Sequence, residues 1–357
     1  MGILMAMEGA VSQGILWGLM TLGVYLTFRI LNIADMTVDG SFAVGGAVTA
    51  VLISCGMNPV LSLLFAFIMG TLTGLVTGFM NTKLKINILL ASILTQIALY
   101  SINIRIMGKS NIPLLTLPGL EGEKRTFFQN LKSFYSGALN RNVNIKTIMT
   151  SISEWTGFSV TAASLVVGIV IVVIIVAAMY WFFGTEIGSA IRATGNNEHM
   201  ARALGVNTDI AKIIGLMISN GLVALSGALV AQSQGYADVS MGTGAIVVGL
   251  ASIIIGEVIF GSHFGFWYKL LTAVLGSVIY RIVIAVVLQL GLKSTDLKLL
   301  TALIVAVSLS VPVFKTKIER RRRVLPGMNV NDEENTRHAN VIKKHKDKEQ
   351  LNGEPKC

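Results

Sequence analysis

The sequence predicts an all-α, polytopic membrane protein with about nine transmembrane helices. Of its 357 residues, 53% are hydrophobic and only 13% are charged, whereas a soluble domain usually carries about 25% charged residues. The apolar residues form continuous runs close to the ~20 residues that cross a bilayer as a helix. They lack the two-residue alternation of an outer-membrane barrel. Composition and patterning therefore both favour a bundle of membrane helices.

The predicted spans form a single membrane domain over residues 1–314. The second run is short, so we expect it to be broken or re-entrant. In chain order, the predicted spans cover residues 10–31, 40–55, 60–82, 86–107, 159–184, 209–234, 241–261, 266–290 and 297–314.

Basic residues orient these spans. The run from Arg320 to Arg323 predicts a cytoplasmic C-terminus, because cytoplasmic segments of membrane proteins carry an excess of Lys and Arg. Counting back through nine spans places segment 185–208 in the cytoplasm. The same count places segment 108–158 and the N-terminus outside the cell. The sequence thus predicts a multi-pass protein of the cell membrane, in contact with lipid.

Two polar segments lie outside the predicted spans. Segment 108–158 contains aromatic residues such as Phe127 and Tyr135, so it is expected to form an extracellular loop or small subdomain. Segment 315–357 is basic and poor in bulky apolar residues, which predicts a disordered cytoplasmic tail. The positive-inside rule explains its charge more simply than a nucleic-acid partner would.

Segment 185–208 has the composition of a capped helix rather than of a simple connection. Asn196 is expected to be the N-cap, because its side chain can accept from free backbone N–H groups. Gly205 suits the left-handed C′ position, and Asn207 or Thr208 can cap the next helix. A connection between helices needs only a few residues. The segment is therefore either a rigid docking element for a soluble partner or a surface loop that happens to be helical.

The third span carries glycines at four-residue spacing. Gly70, Gly74 and Gly78 lie on one face of a helix, where a neighbouring helix can approach closely. The pattern predicts a packing face and gives no information on a substrate.

Two stretches of the chain resemble each other. Residues 18–46 align with residues 221–249 without a gap, so that Asp35 falls on Asp238. In the predicted topology the two copies run in opposite directions across the membrane. Inverted repeats are typical of transporters, whose substrate sites lie near the bilayer midplane between the repeats. The alignment therefore predicts an inverted repeat.

No pattern for catalysis or for binding a cofactor is present, so the chain is not expected to be an enzyme. Cys55 and Cys357 form no disulfide framework. The motif Gly108-Lys109-Ser110 lacks the earlier glycine of a phosphate-binding loop, so any ATP hydrolysis is expected in another chain. The histidines are not spaced for a metal site; they are His199, His263, His338 and His345.

Polar groups inside spans are costly, and they tend to face a cavity or to pair with one another. Arg281 is the leading candidate for a solute path; the alternative is a structural contact with a helix carbonyl or with an acid such as Glu257. We expect Glu257 to be structural or gating, and Asp35 and Asp238 to cap broken helices. The remaining candidates could line a path or form interhelical hydrogen bonds; they are Asn32, Gln96, Asn220 and Gln232.

A pattern of glycine, arginine and asparagine in segment 185–208 resembles a known family. It comprises Gly188, Arg192, Ala193, Gly195 and Asn197, followed by Ala201, Leu204, Gly205, Val206 and Asn207. This pattern is similar to the cytoplasmic loop of ABC importer permeases of the branched-chain amino acid and ribose type. The wider sequence resembles a branch found beside lipoprotein-type substrate-binding proteins, some of which are thought to handle tryptophan or tyrosine.

The resemblance implies a coupling helix that sits in a groove of a cytoplasmic ATPase dimer. ATP and Mg²⁺ would bind to that ATPase and not to this chain. The family also implies an extracellular substrate-binding protein and a pore formed by two permease subunits, most simply a homodimer. The residues expected to couple to the ATPase are Gly188, Ile191, Arg192, Gly195, Asn196, Asn197, Met200, Ala201, Arg202, Leu204 and Gly205.

The sequence therefore predicts the permease subunit of an ABC importer, moving a small, amino-acid-like solute inward by alternating access. Two alternatives stay open. One is a secondary transporter driven by an ion gradient, which the repeat would suit although few membrane acids are available. The other is a non-transporting scaffold that anchors a soluble ATPase.

Overall fold

A computed structural model gives the fold. It describes residues 2–114, 147–156, 159–261, 265–289, 299, 301–306 and 310. The chain divides into two compact units, Met1–Ser308 and Leu309–Cys357. The predicted disordered tail, 315–357, lies outside the described residues, as does most of the predicted extracellular segment.

Within these residues, seven helices are long and apolar enough to cross a membrane. They are α1 (Gly2–Tyr25, continued by a π-helical turn, Leu26–Ile30), α2 (Thr37–Ser54), α3 (Pro59–Thr82), α4 (Ile88–Met107), α6 (Val160–Gly184), α9 (Thr208–Gln234) and α11 (Phe266–Gln289). The shorter elements are β1 (Asn111–Pro113), α5 (Ile148–Thr156), α7 (Glu186–Asn196), α8 (Glu198–Ala203), β2 (Tyr236–Asp238) and α10 (Ala245–Phe260).

The prediction of an all-α membrane protein is confirmed, while the number of nine spans stays a prediction. Span 241–261 is helical only over Ala245–Phe260, and span 297–314 lies mainly outside the described residues. The expected break within 40–55 is wrong, because α2 runs without interruption over Thr37–Ser54. The irregular backbone instead precedes α2, where Asn32 has a φ of 55°.

Helix α9 lies at the centre of the bundle, against α1, α2 and α3. The packing face predicted on α3 is confirmed: a Cβ added to Gly74 would lie 2.9 Å from the Met217 Cα, and Gly70 and Gly78 also face α9. By contrast, α3, α4 and α6 present exposed apolar side chains such as Ile97 and Ile174. These outer faces suit contact with lipid.

The bundle has two ends, which we name by what lies there. At the β end, β1 pairs antiparallel with β2, with Asn111 opposite Asp238. At the loop end, α7 and α8 precede the start of α9. Since α9 begins at Thr208 and ends at Gln234, it connects the loop end to the β end.

Helices α1 and α9 run antiparallel. The Ser219 hydroxyl donates to the Gly23 carbonyl at 2.8 Å, and the Ser226 hydroxyl donates to the Leu16 carbonyl at 2.7 Å. Each helix is followed by a stretch without α-helix and then by α2 or α10. This order is compatible with the inverted repeat, which remains a prediction.

Candidate functional site

Segment 185–208 folds as two helices that meet at Asn197. The Thr185 hydroxyl caps α7 by accepting from the Gly188 N–H at 3.3 Å, and the Asn197 side chain caps α8 by accepting from the Met200 N–H at 3.0 Å. The predicted N-cap, Asn196, is therefore wrong. Asn196 lies in the last turn of α7, because the helix that Thr185 caps continues as far as this residue.

The end of the segment matches the prediction. Gly205 has a φ of 84°, and the Val206 N–H donates to the Ala201 carbonyl at 3.1 Å. Such a bond closes a left-handed C-cap, which glycine adopts without a steric penalty. Asn207 then caps α9 by accepting from the Ile210 N–H at 3.2 Å.

A charged cluster fixes α8 to the first turns of α9. Arg202 lies 3.2 Å from carboxylate oxygens of both Glu198 and Asp209 and donates to the Thr208 hydroxyl at 2.7 Å. The Lys212 ammonium lies 2.7 Å from Glu198. The hydrogen bond from Lys212 is the main reason that the pKa of Glu198 is lowered. The short helix is thus held in one orientation by several partners.

Burial divides the predicted coupling residues into two groups. Met200 and Leu204 are 61% and 72% exposed, whereas Ile191 and Ala201 are buried at 0% and 2%. Ile191, which was predicted to couple to the ATPase, is therefore not accessible for direct contact with a partner. Ile191 packs into the core of the bundle because the apolar side of α7 faces inward.

Close contacts anchor α7 to the membrane helices. The Arg192 guanidinium donates to the Phe183 carbonyl at 2.7 Å and lies 5.7 Å from the centre of the Phe266 ring. A Cβ added to Gly195 would lie 2.8 Å from the Leu31 Cα and closer still to the Ile30 carbonyl oxygen. We call α1 together with the π-helical turn that continues it to Ile30 the α1 segment. Since the contact at Gly195 is backbone against backbone, α7 packs directly on the end of the α1 segment.

An ion pair lies close to this contact. Arg29, in the π-helical turn after α1, donates from Nε to Glu257 Oε1 at 2.9 Å and also pairs through its terminal nitrogen. The suggested pair of Glu257 with Arg281 is wrong, since Glu257 lies at the loop end and is engaged by Arg29. The pair joins the end of the α1 segment to α10.

Polar side chains form a buried network between α2, α3 and α9. Asp35 accepts from the Thr37 N–H at 2.9 Å and from the Asn220 amide at 2.7 Å. Asn220 accepts in turn from the Ser41 hydroxyl at 2.6 Å, and Ser41 lies 2.7 Å from the Thr73 hydroxyl. Asn220 therefore links α9 to α2 by hydrogen bonds in this conformation, and Asp35 accepts a hydrogen bond from the first turn of α2.

Sequence reasoning missed Asp39, which joins α2 to α10. Its carboxylate accepts from the backbone N–H groups of Gly244 and Ile246, each at 2.9 Å. These groups belong to the first turn of α10, where a negative charge is favourable. The sequence did contain a signal for this role, because an acid beside a predicted span is costly unless it finds a partner. The Gln96 amide lies 3.5 Å from the same carboxylate.

Two further path candidates, Gln232 and Asn32, lie apart, as does Asp238, which was predicted to cap a broken helix. Gln232 is buried near the β end, where it accepts from the Ile148 N–H at 3.1 Å. Asp238 accepts from the Ser240 N–H at 2.7 Å and so holds the turn after β2. Asn32 is exposed at the loop end. The structure therefore does not bring the five path candidates into one site.

Arg281 occupies a separate position between α11 and α1. Its guanidinium carbon lies 3.9 Å from the centre of the Trp17 ring. Its buried Nε has no hydrogen-bond partner within the described residues, and neither do Trp17 Nε1 and Gln13 Oε1. In the same part of the chain, no group of three or more His, Cys, Asp or Glu side chains could hold a metal ion.

Comparison with known proteins gives consistent matches over the membrane domain. A family model described as "Branched-chain amino acid transport system / permease component" matches residues 6–308. The tyrosine transport system permease protein of Clostridioides difficile (strain R20291) is 36% identical over 333 residues, covering 89% of this chain and all of the relative.

Two more distant relatives match part of the chain. The probable branched-chain amino acid transport permease protein LivH of Methanocaldococcus jannaschii is 23% identical, covering 64% of this chain and 66% of the relative. The ribose import permease protein RbsC of Escherichia coli (strain K12) is 24% identical, covering 58% and 56%. A search of solved structures gave no significant match.

Proposed function

Because the chain belongs to the family of branched-chain amino acid transport system permease components, we propose that it imports an amino-acid-like solute, driven by a separate ATPase. The chain is a multi-pass permease component of an ABC-type transporter. Its relatives are permeases of transport systems rather than enzymes. The similarity to a tyrosine transport permease favours an amino acid as the solute.

The observation that carries the proposal is the exposed apolar pair on a rigid support. Met200, in the short α8, and Leu204, directly after it, are 61% and 72% exposed, and caps and charged contacts fix α8 in place. Exposed apolar side chains on a soluble-side surface suit a protein partner. We assign this surface to a cytoplasmic ATPase dimer, which would bind ATP and Mg²⁺.

Basic residues support a cytoplasmic loop end. Lys83 and Lys85 lie between α3 and α4, and Arg192 and Arg202 lie in α7 and α8. All four are at the loop end, as the positive-inside rule requires of the cytoplasmic side. The C-terminus is then proposed to be cytoplasmic, and the β end faces a substrate-binding protein outside the cell. A second copy of the permease would complete the pore.

In this proposal, ATP-driven closure of the ATPase moves α8 and α7 together. The contact of Gly195 with Ile30 passes the displacement to the end of the α1 segment. Arg29 is the preceding residue, and its ion pair with Glu257 connects α1 to α10. A rigid-body shift of these helices would open the bundle alternately to its two ends.

The test compares two exposed leucines at the loop end. Leu204→Asp should reduce co-purification of the ATPase and ATP-driven uptake of radiolabelled tyrosine in membrane vesicles. Leu84→Asp is the matched control, because Leu84 is 58% exposed at the same end but lies in the connection between α3 and α4. Equal loss in both variants would contradict the docking surface.

The same vesicles separate the alternatives. Uptake that persists without ATP and disappears with an ionophore would indicate an ion-coupled transporter. ATPase binding without any solute flux would indicate a scaffold. Uptake that requires both ATP and the ATPase is the result that the proposal expects.

A further inference from the structure

The environment of Arg281 differs from that of Arg29, Arg202 and Lys212, each of which pairs with a carboxylate. Arg281 lies within α11, in a helix that can span the membrane, and its Nε is buried without a partner. Its described contact is the face of Trp17, 3.9 Å away. A cation inside a membrane protein is costly unless something compensates for it, so such residues commonly mark a functional site.

Three acids within or beside the described membrane helices are engaged elsewhere. Asp35 accepts from Asn220, Asp39 accepts from the first turn of α10, and Glu257 pairs with Arg29. Within the described residues, no carboxylate forms an ion pair with Arg281. The guanidinium therefore keeps its capacity to bind a carboxylate supplied from outside the chain.

Two more unpaired polar atoms lie on the facing helix. Gln13 and Trp17 are one turn apart on the same face of α1. Gln13 donates to the Ser233 hydroxyl at 3.2 Å, which leaves its Oε1 free, and the Trp17 indole N–H is also unpaired. Together with Arg281, these groups offer two donors and one acceptor. Buried polar atoms usually have partners, so these three unpaired atoms are available to bind the polar groups of a ligand or water.

The arrangement is also stiff. The Trp17 ring packs on Phe42 with ring centres 4.8 Å apart, and the guanidinium of Arg281 lies over the same indole. Stacking on an aromatic face limits the positions of the guanidinium, which lowers the entropy lost when it binds a planar carboxylate.

We propose that Arg281, Trp17 and Gln13 form a subsite for the backbone of an α-amino acid. The Arg281 guanidinium and the indole N–H donate to the carboxylate, and Gln13 Oε1 accepts from the ammonium group. The contact of Gln13 with Ser233, next to the end of α9, places the subsite in the half of the bundle nearer the β end. The inference rests on the proposed function, because it takes the permease to admit its solute from that end.

The test uses the purified permease–ATPase complex without a substrate-binding protein, so that recognition by that protein does not mask the subsite. Direct binding of radiolabelled L-tyrosine is measured, with tyramine and 3-(4-hydroxyphenyl)propionate as competitors. These compounds lack the carboxylate and the ammonium group, respectively. The wild-type complex should bind both at least tenfold more weakly than tyrosine, in keeping with the loss of a charge-assisted hydrogen bond.

Arg281→Gln should weaken tyrosine binding at least tenfold and remove the preference for tyrosine over tyramine. Arg281→Lys should keep part of the affinity, because it retains the charge without the planar fork. Arg105→Gln is the control, since Arg105 is an exposed cation in the last turn of α4, near the same end of the bundle. Tyrosine binding that is unchanged in Arg281→Gln would overturn the proposal.

If the Arg281→Gln permease does not assemble with the ATPase, a second variant tests the subsite. Gln13→Leu should leave discrimination against tyramine intact and reduce discrimination against 3-(4-hydroxyphenyl)propionate. Unchanged discrimination in Gln13→Leu would overturn the subsite. The proposed function fails separately, if the wild-type complex binds tyrosine selectively but vesicles show no uptake that depends on ATP.

Discussion

Replacing Gly195 with alanine should separate α7 from the end of the α1 segment. A Cβ at this position would lie 2.8 Å from both the Ile30 carbonyl carbon and the Leu31 Cα, whereas real Cβ contacts essentially never fall below 3.0 Å. The Ile30 carbonyl oxygen lies closer still. Backbone atoms cannot rotate away as a flexible side chain can, so the two segments must move apart.

Overpacking of this kind usually costs about 1–3 kcal/mol. The higher helix propensity of alanine returns at most about 1 kcal/mol. Taking about 2 kcal/mol for the overpacking and about 1 kcal/mol for the return leaves a net cost of about 1 kcal/mol, a factor of about 5 in an equilibrium constant. If the cost falls on the docked, transport-competent arrangement, ATP-driven uptake should decrease by a similar factor.

The assay measures ATP-driven tyrosine uptake in vesicles together with thermal unfolding of the purified permease. Gly184→Ala is the matched control, because Gly184 ends α6 beside the same segment and a Cβ there would meet nothing within 4 Å. Gly184→Ala should behave like the wild type in both measurements. If Gly195→Ala matched Gly184→Ala in uptake and in stability, the contact with α1 would have no role in coupling.

Three further substitutions test neighbouring features. A permease with Gly205→Val should insert into the membrane normally but stimulate the ATPase less, because a φ of 84° costs a bulky residue roughly 1–2 kcal/mol. Gly205→Asn should have a milder effect, and normal ATPase stimulation by the valine variant would refute the capping role. Glu257→Arg should impair uptake by placing two cations together, and adding Arg29→Glu should restore it; a double variant no better than the single one would mean that the ion pair is dispensable. Asp39→Ala should lower the thermal stability of the permease by about 0.5–2 kcal/mol through loss of a helix cap, whereas no change in melting would exclude that role.

The membrane helices were predictable because lipid leaves the backbone few choices. In hydrocarbon every N–H and C=O group must be satisfied within the segment, so long apolar runs become helices. Local chemistry likewise predicted Gly205 and Asn207, whose roles depend on their own backbone angles and on the next few N–H groups. Asn196 was chosen wrongly because Asn196 and Asn197 have the same capping chemistry. Thr185 decides between them, because it caps a helix that runs as far as Asn196. Asn197 is then the first residue free to cap the next helix.

Partners distant in sequence could not be predicted in this way. Glu257 was one of the structural partners considered for Arg281, but the folded chain brings it to Arg29 instead. Asp39 caps a helix whose first turn lies more than two hundred residues away. The sequence identifies which side chains need a partner, because charged groups are costly inside the bundle. Only the packing of α1, α2 and α10 determines which partner each one obtains.

The contacts at the loop end differ in stiffness, and this difference favours a specific division of roles. The contact of Gly195 with Ile30 joins two backbones without intervening side-chain atoms, so we expect it to transmit a displacement rather than absorb it. The pair of Arg29 and Glu257 is partly exposed, with side chains 43% and 22% accessible. An exposed pair contributes little net stability and is screened by salt. We therefore expect this pair to break and re-form during the proposed cycle, while the backbone contact stays closed and carries the movement of α7 into α1.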